Sequence, residues 1–323
     1  MNTQIKLAII AIAIVIPLTS LAITQPILNS EITTTENSKL QVITSATFLY
    51  EFSQNIGKEM IDVTLLVPMG ADPHDWEPTI RDREKLQKAD VIIVNGIGYE
   101  HWLDSFDSND NQGILVDTSN GISILDSAKY DEEKHDDHTK EDGHDDEDKH
   151  DDHNHGALDP HIWLNPVFAQ LQVKNIANAL SNSDPTNKNY YQSNAAIYNQ
   201  ELNLLDTKIR TELSGCNTDF ITFHDAFSYF SEEYGLTQHT IISSTDSHGE
   251  VTPKTLENII SLARELNIKV IFAEESTSTK TSQVIADEIG GKVLVLSPLE
   301  IVSDETYVEK MTQNLNNLKD ALC

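Results

Sequence analysis

Short apolar, β-branched runs alternate with longer stretches of helical period through most of this chain. The runs Leu40 to Ala46, Ile61 to Pro68, Asp90 to Gly96 and Gly113 to Asp117 predict strands, and Thr79 to Ala89 and Pro166 to Leu180 predict helices between or after them. Strands that are apolar continuously, rather than at every second position, belong to parallel sheets covered on both faces. The pattern restarts with strands at Asp219 to His224, Ile268 to Glu274 and Lys292 to Pro298, and helices are expected at Pro253 to Leu266, Thr281 to Gly290 and Glu305 to Leu322. The expected fold class is therefore α/β, with two lobes, each a parallel sheet flanked by helices.

The segment between the lobes has its own signature. Asp184 is a good N-cap, Pro185 suits the first helical position, and Gly215 is a suitable stop. One helical pattern of roughly 30 residues lies between them, which at 1.5 Å per residue would be ~45 Å long. That exceeds the ~30 Å span of a small domain, so one long, rigid helix is expected to join the lobes and limit hinge bending. The N-terminal lobe is expected at 39–183, the linking helix at 184–214 and the C-terminal lobe at 215–323.

One stretch breaks the pattern: DEEKHDDHTKEDGHDDEDKHDDHNHG, from Asp131 to Gly156. Between Asp131 and His155 it holds 13 acidic residues, 3 Lys, 6 His and nothing apolar, and it carries −10 of the chain's formal −30. Such a segment has no surface to bury against the entropy of ordering, so a disordered loop is expected. Acidic runs are usually plain solvated charge, but alternation with imidazole is the composition of weak metal binders. The auxiliary ligands would be His135, His138, His144, His150, His153 and His155. The acidic balance persists outside the loop. It argues against nucleic acid or anionic lipid as partners and for cations.

At the start of the chain, Lys6 precedes an apolar run from Leu7 to Leu18, and Ser20-Leu21-Ala22 offers a small-residue cleavage site. Residues 1–22 are expected to be a secretory signal peptide, or an N-terminal anchor if uncleaved, with 23–38 a linker. The location is then extracytoplasmic: periplasm or outer face of the membrane. No Cys stands near the cleavage region to take a lipid. Cys216 and Cys323 are the two cysteines; they either pair or remain free thiols, and no C-x-x-C spacing marks a zinc ligand pair.

The candidate chemistry lies in an internal echo. DPHDW (Asp72 to Trp76) and DPHIW (Asp159 to Trp163) share D-P-H-x-W. Proline fixes its own φ and holds the preceding Asp extended, so each His sits on a stiffened turn, with an Asp two residues upstream that could orient its ring. This marks His74 and His161 as metal ligands. Ligands in open parallel sheets gather at the carboxyl ends of strands. That adds His224, at the end of its strand, and Glu274, with its neighbour Glu275 as the alternative because only one of them can point inward. Three imidazoles and one carboxylate, two ligands from each lobe, suit tetrahedral zinc (Zn2+) in the crevice between lobes; harder ions would draw more oxygen ligands.

At these residues the chain resembles a known family. GADPHDWEPT, DPHIWLNP, FHDAFSYFSEEYGL and PLEIVSDETYVEKMTQNLNNLKDAL look like the zinc-type solute-binding proteins of ABC metal importers, and the likeness runs from about Lys39 to Leu322. The resemblance implies two α/β lobes joined by one long helix, with metal clamped between them. It implies His74, His161 and His224 as ligands and Glu274 as the fourth, and an ABC transporter membrane permease as partner. Manganese-binding relatives resemble the chain less, because they place a carboxylate where His224 stands. The His/Asp-rich loop is similar to one in many zinc members.

Other residues carry less. His248 sits in a loop that could reach the crevice, though a solvated His is the simpler reading; His101 and His239 read as surface or capping residues. Trp76 and Trp163 either wall water from the site or pack in the core. Glu77 and Asp225 either support the ligands or lie on the surface. Three His with an open fourth position would also describe a zinc hydrolase, but no H-E-x-x-H or nucleophile motif is present, so no enzyme is expected. A zinc buffer built on the loop alone would not need two lobes. The expected protein is a monomeric extracytoplasmic zinc receptor with one tight site and additional weak sites in the His-rich loop.

Overall fold

Two four-stranded parallel sheets organise the chain. In the first, β1 (Leu40–Thr44), β2 (Ile61–Leu65), β3 (Val91–Val94) and β4 (Ile114–Asp117) lie in the order β2-β1-β3-β4. In the second, β5 (Asp219–Thr222), β6 (Thr237–Thr240), β7 (Val270–Ala273) and β8 (Lys292–Val295) lie in the order β6-β5-β7-β8. The two lobes thus share one topology. β3 and β7, buried at every position, are the fully covered inner strands that continuous apolar runs predict. This computed structural model describes residues 39–68, 71, 75–106, 113–125, 158–242, 251–275 and 279–323. The N-terminal apolar segment, the His/Asp tract, His74 and His248 lie outside them.

Eight helices are found among the described residues: α1 (Thr47–Gly57), α2 (Ile80–Lys88), α3 (Pro166–Ser183), α4 (Lys188–Leu213), α5 (Ser228–Tyr234), α6 (Pro253–Glu265), α7 (Thr279–Ile289) and α8 (Tyr307–Leu322). Their starts follow local chemistry. Thr79 with Asp82, and Thr306 with Glu309, close capping boxes on α2 and α8, and Asn165 caps α3 ahead of Pro166. Among these helices none is long and apolar enough to cross a membrane.

The linking helix is shorter than its pattern suggests. Asp184 and Pro185 open a 3-10 turn, Pro185–Asn187, whose last N–H the Asp184 side chain caps. α4 then runs for 26 residues, ~39 Å at 1.5 Å each. Its buried stripe, Tyr191, Ala195, Tyr198, Leu202, Leu205, Ile209 and Leu213, recurs every three or four positions. That stripe belongs to one continuous apolar core that also holds Phe48, Phe52 and Trp163 from the N-terminal half, and Phe220, Phe272, Leu315 and Leu318 from the C-terminal half. Cys216 and Cys323 form a disulfide that ties the turn between α4 and β5 to the end of α8.

Candidate metal centre

His161 and His224 meet where the carboxyl ends of the two sheets face each other. Both rings are fully buried, with Nε2 atoms 3.4 Å apart. Each is aimed in the same way. Asp159 Oδ1 accepts the backbone N–H of His161 at 3.0 Å and contacts its Nδ1 at 2.7 Å. Glu274 Oε1 accepts the backbone N–H of His224 at 3.2 Å and contacts its Nδ1 at 2.6 Å. A carboxylate on Nδ1 places the ring hydrogen there and turns the Nε2 lone pair inward.

The third group of the cluster is Glu300, whose Oε1 lies 3.5 Å from His161 Nε2. Tetrahedral ligands at ~2.0–2.1 Å from a zinc ion stand about 3.3–3.4 Å from one another, and the two measured separations agree with that spacing. Two lone pairs and a carboxylate converging on one buried point favour a cation. Burial alone would strip a proton from His161, but hydrogen bonds and charge from Asp159 and Glu300 outweigh it and hold the ring's pKa up at about 10. Asp225 also faces this region; burial raises its pKa, and its Oδ1 accepts from Ser228.

The turns that carry these side chains are fixed from both sides. Asn95, past β3, donates to the Pro160 carbonyl at 2.9 Å, and Tyr229 of α5 donates to the Asp159 carbonyl at 2.7 Å. Glu100, buried, accepts from Ser45 Oγ and from the N–H groups of Asn95 and Gly96, which locks the Asn95 turn; burial raises its pKa to about 7. Trp163 stacks on Phe48 with centroids 4.3 Å apart and donates its Nε1–H to the Pro298 carbonyl, two residues before Glu300. On the other side, Gln238 of β6 donates to the His224 carbonyl at 3.0 Å.

Among the residues marked in the sequence, His161 and His224 come together, and His74 lies outside the described residues. Glu274 stands behind His224, on Nδ1, rather than beside the Nε2 pair. Glu275 points elsewhere, its Oε2 accepting from Ser297. Glu300 was missed, although it follows β8 as His224 follows β5. It is the first acidic residue past Pro298, and the strand-end rule applies to it as it does to His224. Trp163 is a core residue, whereas Trp76 is partly buried and packs edge-on against Trp102. His239 pairs with Asp219 at 2.9 Å, while His101 and Glu77 are exposed.

Twin parallel-sheet lobes closing on two aimed imidazoles and a carboxylate define a two-lobed metal-binding protein. The family described as zinc-uptake complex component A, periplasmic (ZnuA), matches residues 42–321, and the chain belongs to it. The family is one of solute-binding transport proteins, and its uptake complex implies a membrane permease. The chain is 40% identical over 296 residues to the high-affinity zinc uptake system protein ZnuA of Bacillus subtilis, covering 89% of each. It is 31% identical over 295 residues to zinc-binding protein AdcA of Streptococcus pyogenes, covering 87% of this chain but 56% of that longer protein. The crystal structure of the metal-dependent lipoprotein YcdH from Bacillus subtilis superposes with a TM-score of 0.72 at 36% identity, covering 88% of this chain and 99% of that one.

Proposed function

We infer that this chain is an extracytoplasmic zinc receptor that delivers Zn2+ to the permease of an ABC importer. The observation that carries this is the 3.4 Å approach of two buried Nε2 atoms, each aimed by a carboxylate on Nδ1, beside the Glu300 carboxylate. The proposed ligands are His161, His224 and Glu300, with His74 as the third imidazole on the strength of its D-P-H-x-W motif. Glu274 then orients His224 instead of binding metal. A carboxylate that completes the shell favours capture and release over hydrolysis, which needs an open position for water. The names of the relatives support zinc as cargo. The apolar segment from Leu7 to Leu18 supports export, with or without retention as an anchor, and the chain is proposed to act as a monomer.

Removing a ligand costs more than removing the group that aims it. Loss of an aiming partner typically lowers metal affinity 10–100-fold. Competition titration against a chromophoric chelator should therefore show Glu274→Ala weakening zinc within that range. His161→Ala, His224→Ala and His74→Ala should each weaken it by more, with Glu300→Ala measurably impaired. Undiminished tight binding in His161→Ala or His224→Ala would contradict the site.

The Asp131 to His155 tract is proposed to hold further zinc ions weakly, since unfixed ligands lose conformational entropy at each binding event. Replacing it with a short Gly/Ser bridge should abolish the weak extra stoichiometry, keep one tight site, and slow loading most at low ionic strength, where its charge is least screened. Equal stoichiometry and loading rate with and without the tract would make it an inert insert.

A further inference from the structure

Glu274 and Glu275 are consecutive past β7, yet they serve different groups, as neighbours on an extended strand do. Glu274 holds His224. Glu275 accepts from Ser297 Oγ at 2.7 Å through Oε2, and its Oε1 lies 3.5 Å from the ammonium of Lys310. Lys310, on α8, is only 5% exposed and also donates to the Ile301 carbonyl at 3.2 Å. One helical turn further, Asn314 grips Ser297 twice: its Nδ2 donates to the Ser297 carbonyl at 2.7 Å and its Oδ1 accepts the Ser297 N–H at 2.8 Å.

Lys310 and Asn314 are thus i and i+4 on one face of α8, and they hold residues 301 and 297 respectively. Leu299 and Glu300 lie between those two grips. Leu299 takes φ +63°, a region that a buried leucine leaves unless neighbours hold it there. The neighbours are present: Leu299 N–H donates to Ser297 Oγ at 3.2 Å and its carbonyl accepts from Thr47 Oγ1 at 2.8 Å. A buried ammonium is a costly way to fill space, because an apolar side chain would pack without desolvating a charge. Here its partners are the group that fixes Ser297 and the residue that follows Glu300.

We propose that Lys310, Glu275 and Asn314 are positioning residues that preset the Glu300 carboxylate for zinc. The two consecutive glutamates then divide the work, Glu274 aiming His224 and Glu275 bracing the turn that carries Glu300. The proposal rests on Glu300 being a zinc ligand.

A double-mutant cycle in the full-length chain, with zinc as the probe and a chelator as competitor, tests it. Lys310→Met should weaken zinc at least tenfold, as losses of outer partners do, and should add nothing in the Glu300→Ala background. An unchanged affinity for Lys310→Met, or the same loss in both backgrounds, overturns it. Lys310→Met combined with Glu275→Gln removes both charges and carries the same cycle should the single variant fail to fold. If Glu300→Ala leaves zinc binding intact, the ligand assignment falls and takes this one with it. If Glu300→Ala weakens zinc while Lys310→Met still acts in that background, only the positioning role falls.

Discussion

A proton and a zinc ion compete for the same place beside His161. With Nδ1 committed to Asp159, the second proton of the imidazolium sits on Nε2, facing Glu300, where the metal would bind. The folded pKa of about 10 lies above the ordinary His value of 6.5, so the apo fold is stabilised by this proton below about pH 6.5 and loses that contribution as pH rises through 10. Zinc must displace the same proton throughout that window. Affinity should therefore climb with pH from neutrality toward 10, with one proton released from His161 per zinc, while this group lowers apo thermal stability over the same interval. Calorimetry in buffers of different ionisation enthalpy counts the protons; none released at pH 8 would contradict the geometry. Free histidine alone would put this window near 6.5, and the two carboxylates move it upward. The sequence was informative for His161 because Asp-Pro fixes the turn and the acceptor within five residues. It was less informative for the carboxylate proposed to complete the site. Which of several acidic residues past three different strands faces inward depends on where those strands stop, and that is set by packing between sheets.

At the scale of elements, the legible parts were those whose residues form a clear apolar, β-branched run or a capped helical period, edge strands β2, β4 and β8 among them. The inner strands β1, β3, β5 and β7 are apolar runs with no other good explanation, and α8 announces itself with Thr306 and Glu309 three apart. The edge strand β6, Thr-Gln-His-Thr, carries no such run: it is held by backbone pairing to β5, and none of its four residues is apolar. Yet it supplies Gln238, which holds the His224 carbonyl. α1, with Phe48, Leu49, Phe52 and Ile56 buried, has a clear helical period, yet no element was expected between the strand ending at Ala46 and the one starting at Ile61. Its Phe48 stacks on Trp163, and its Glu51 accepts from Tyr198 of α4 and from the Tyr307 N–H of α8. One short helix thus ties the linking helix, the last helix and the D-P-H-I-W turn together.

For the whole molecule, one core shared by both halves along α4 has a consequence for release. Opening the crevice by a wide hinge would expose apolar side chains from Phe48 to Leu318, so the shared core resists a wide hinge motion. The disulfide adds to that stiff frame. It joins Cys216, ahead of β5, to Cys323 at the end of α8, residues 107 apart in sequence, so the entire second sheet lies within one closed loop. Loops of about 100 residues correspond to ~4.7 kcal/mol in the chain-entropy treatment, and measured losses run about 2–5 kcal/mol. His224 lies past the far end of β5, so Cys216 and the site stand at opposite ends of that strand. Cys216→Ser with Cys323→Ser should thus lower unfolding stability by a few kcal/mol while leaving the zinc dissociation constant unchanged at a temperature where the fold persists. Denaturant unfolding and chelator competition on the same preparation measure the two quantities. A parallel loss of zinc affinity would mean that strain at the staple reaches the metal centre through β5 or α8, and that the frame is less stiff than its shared core implies.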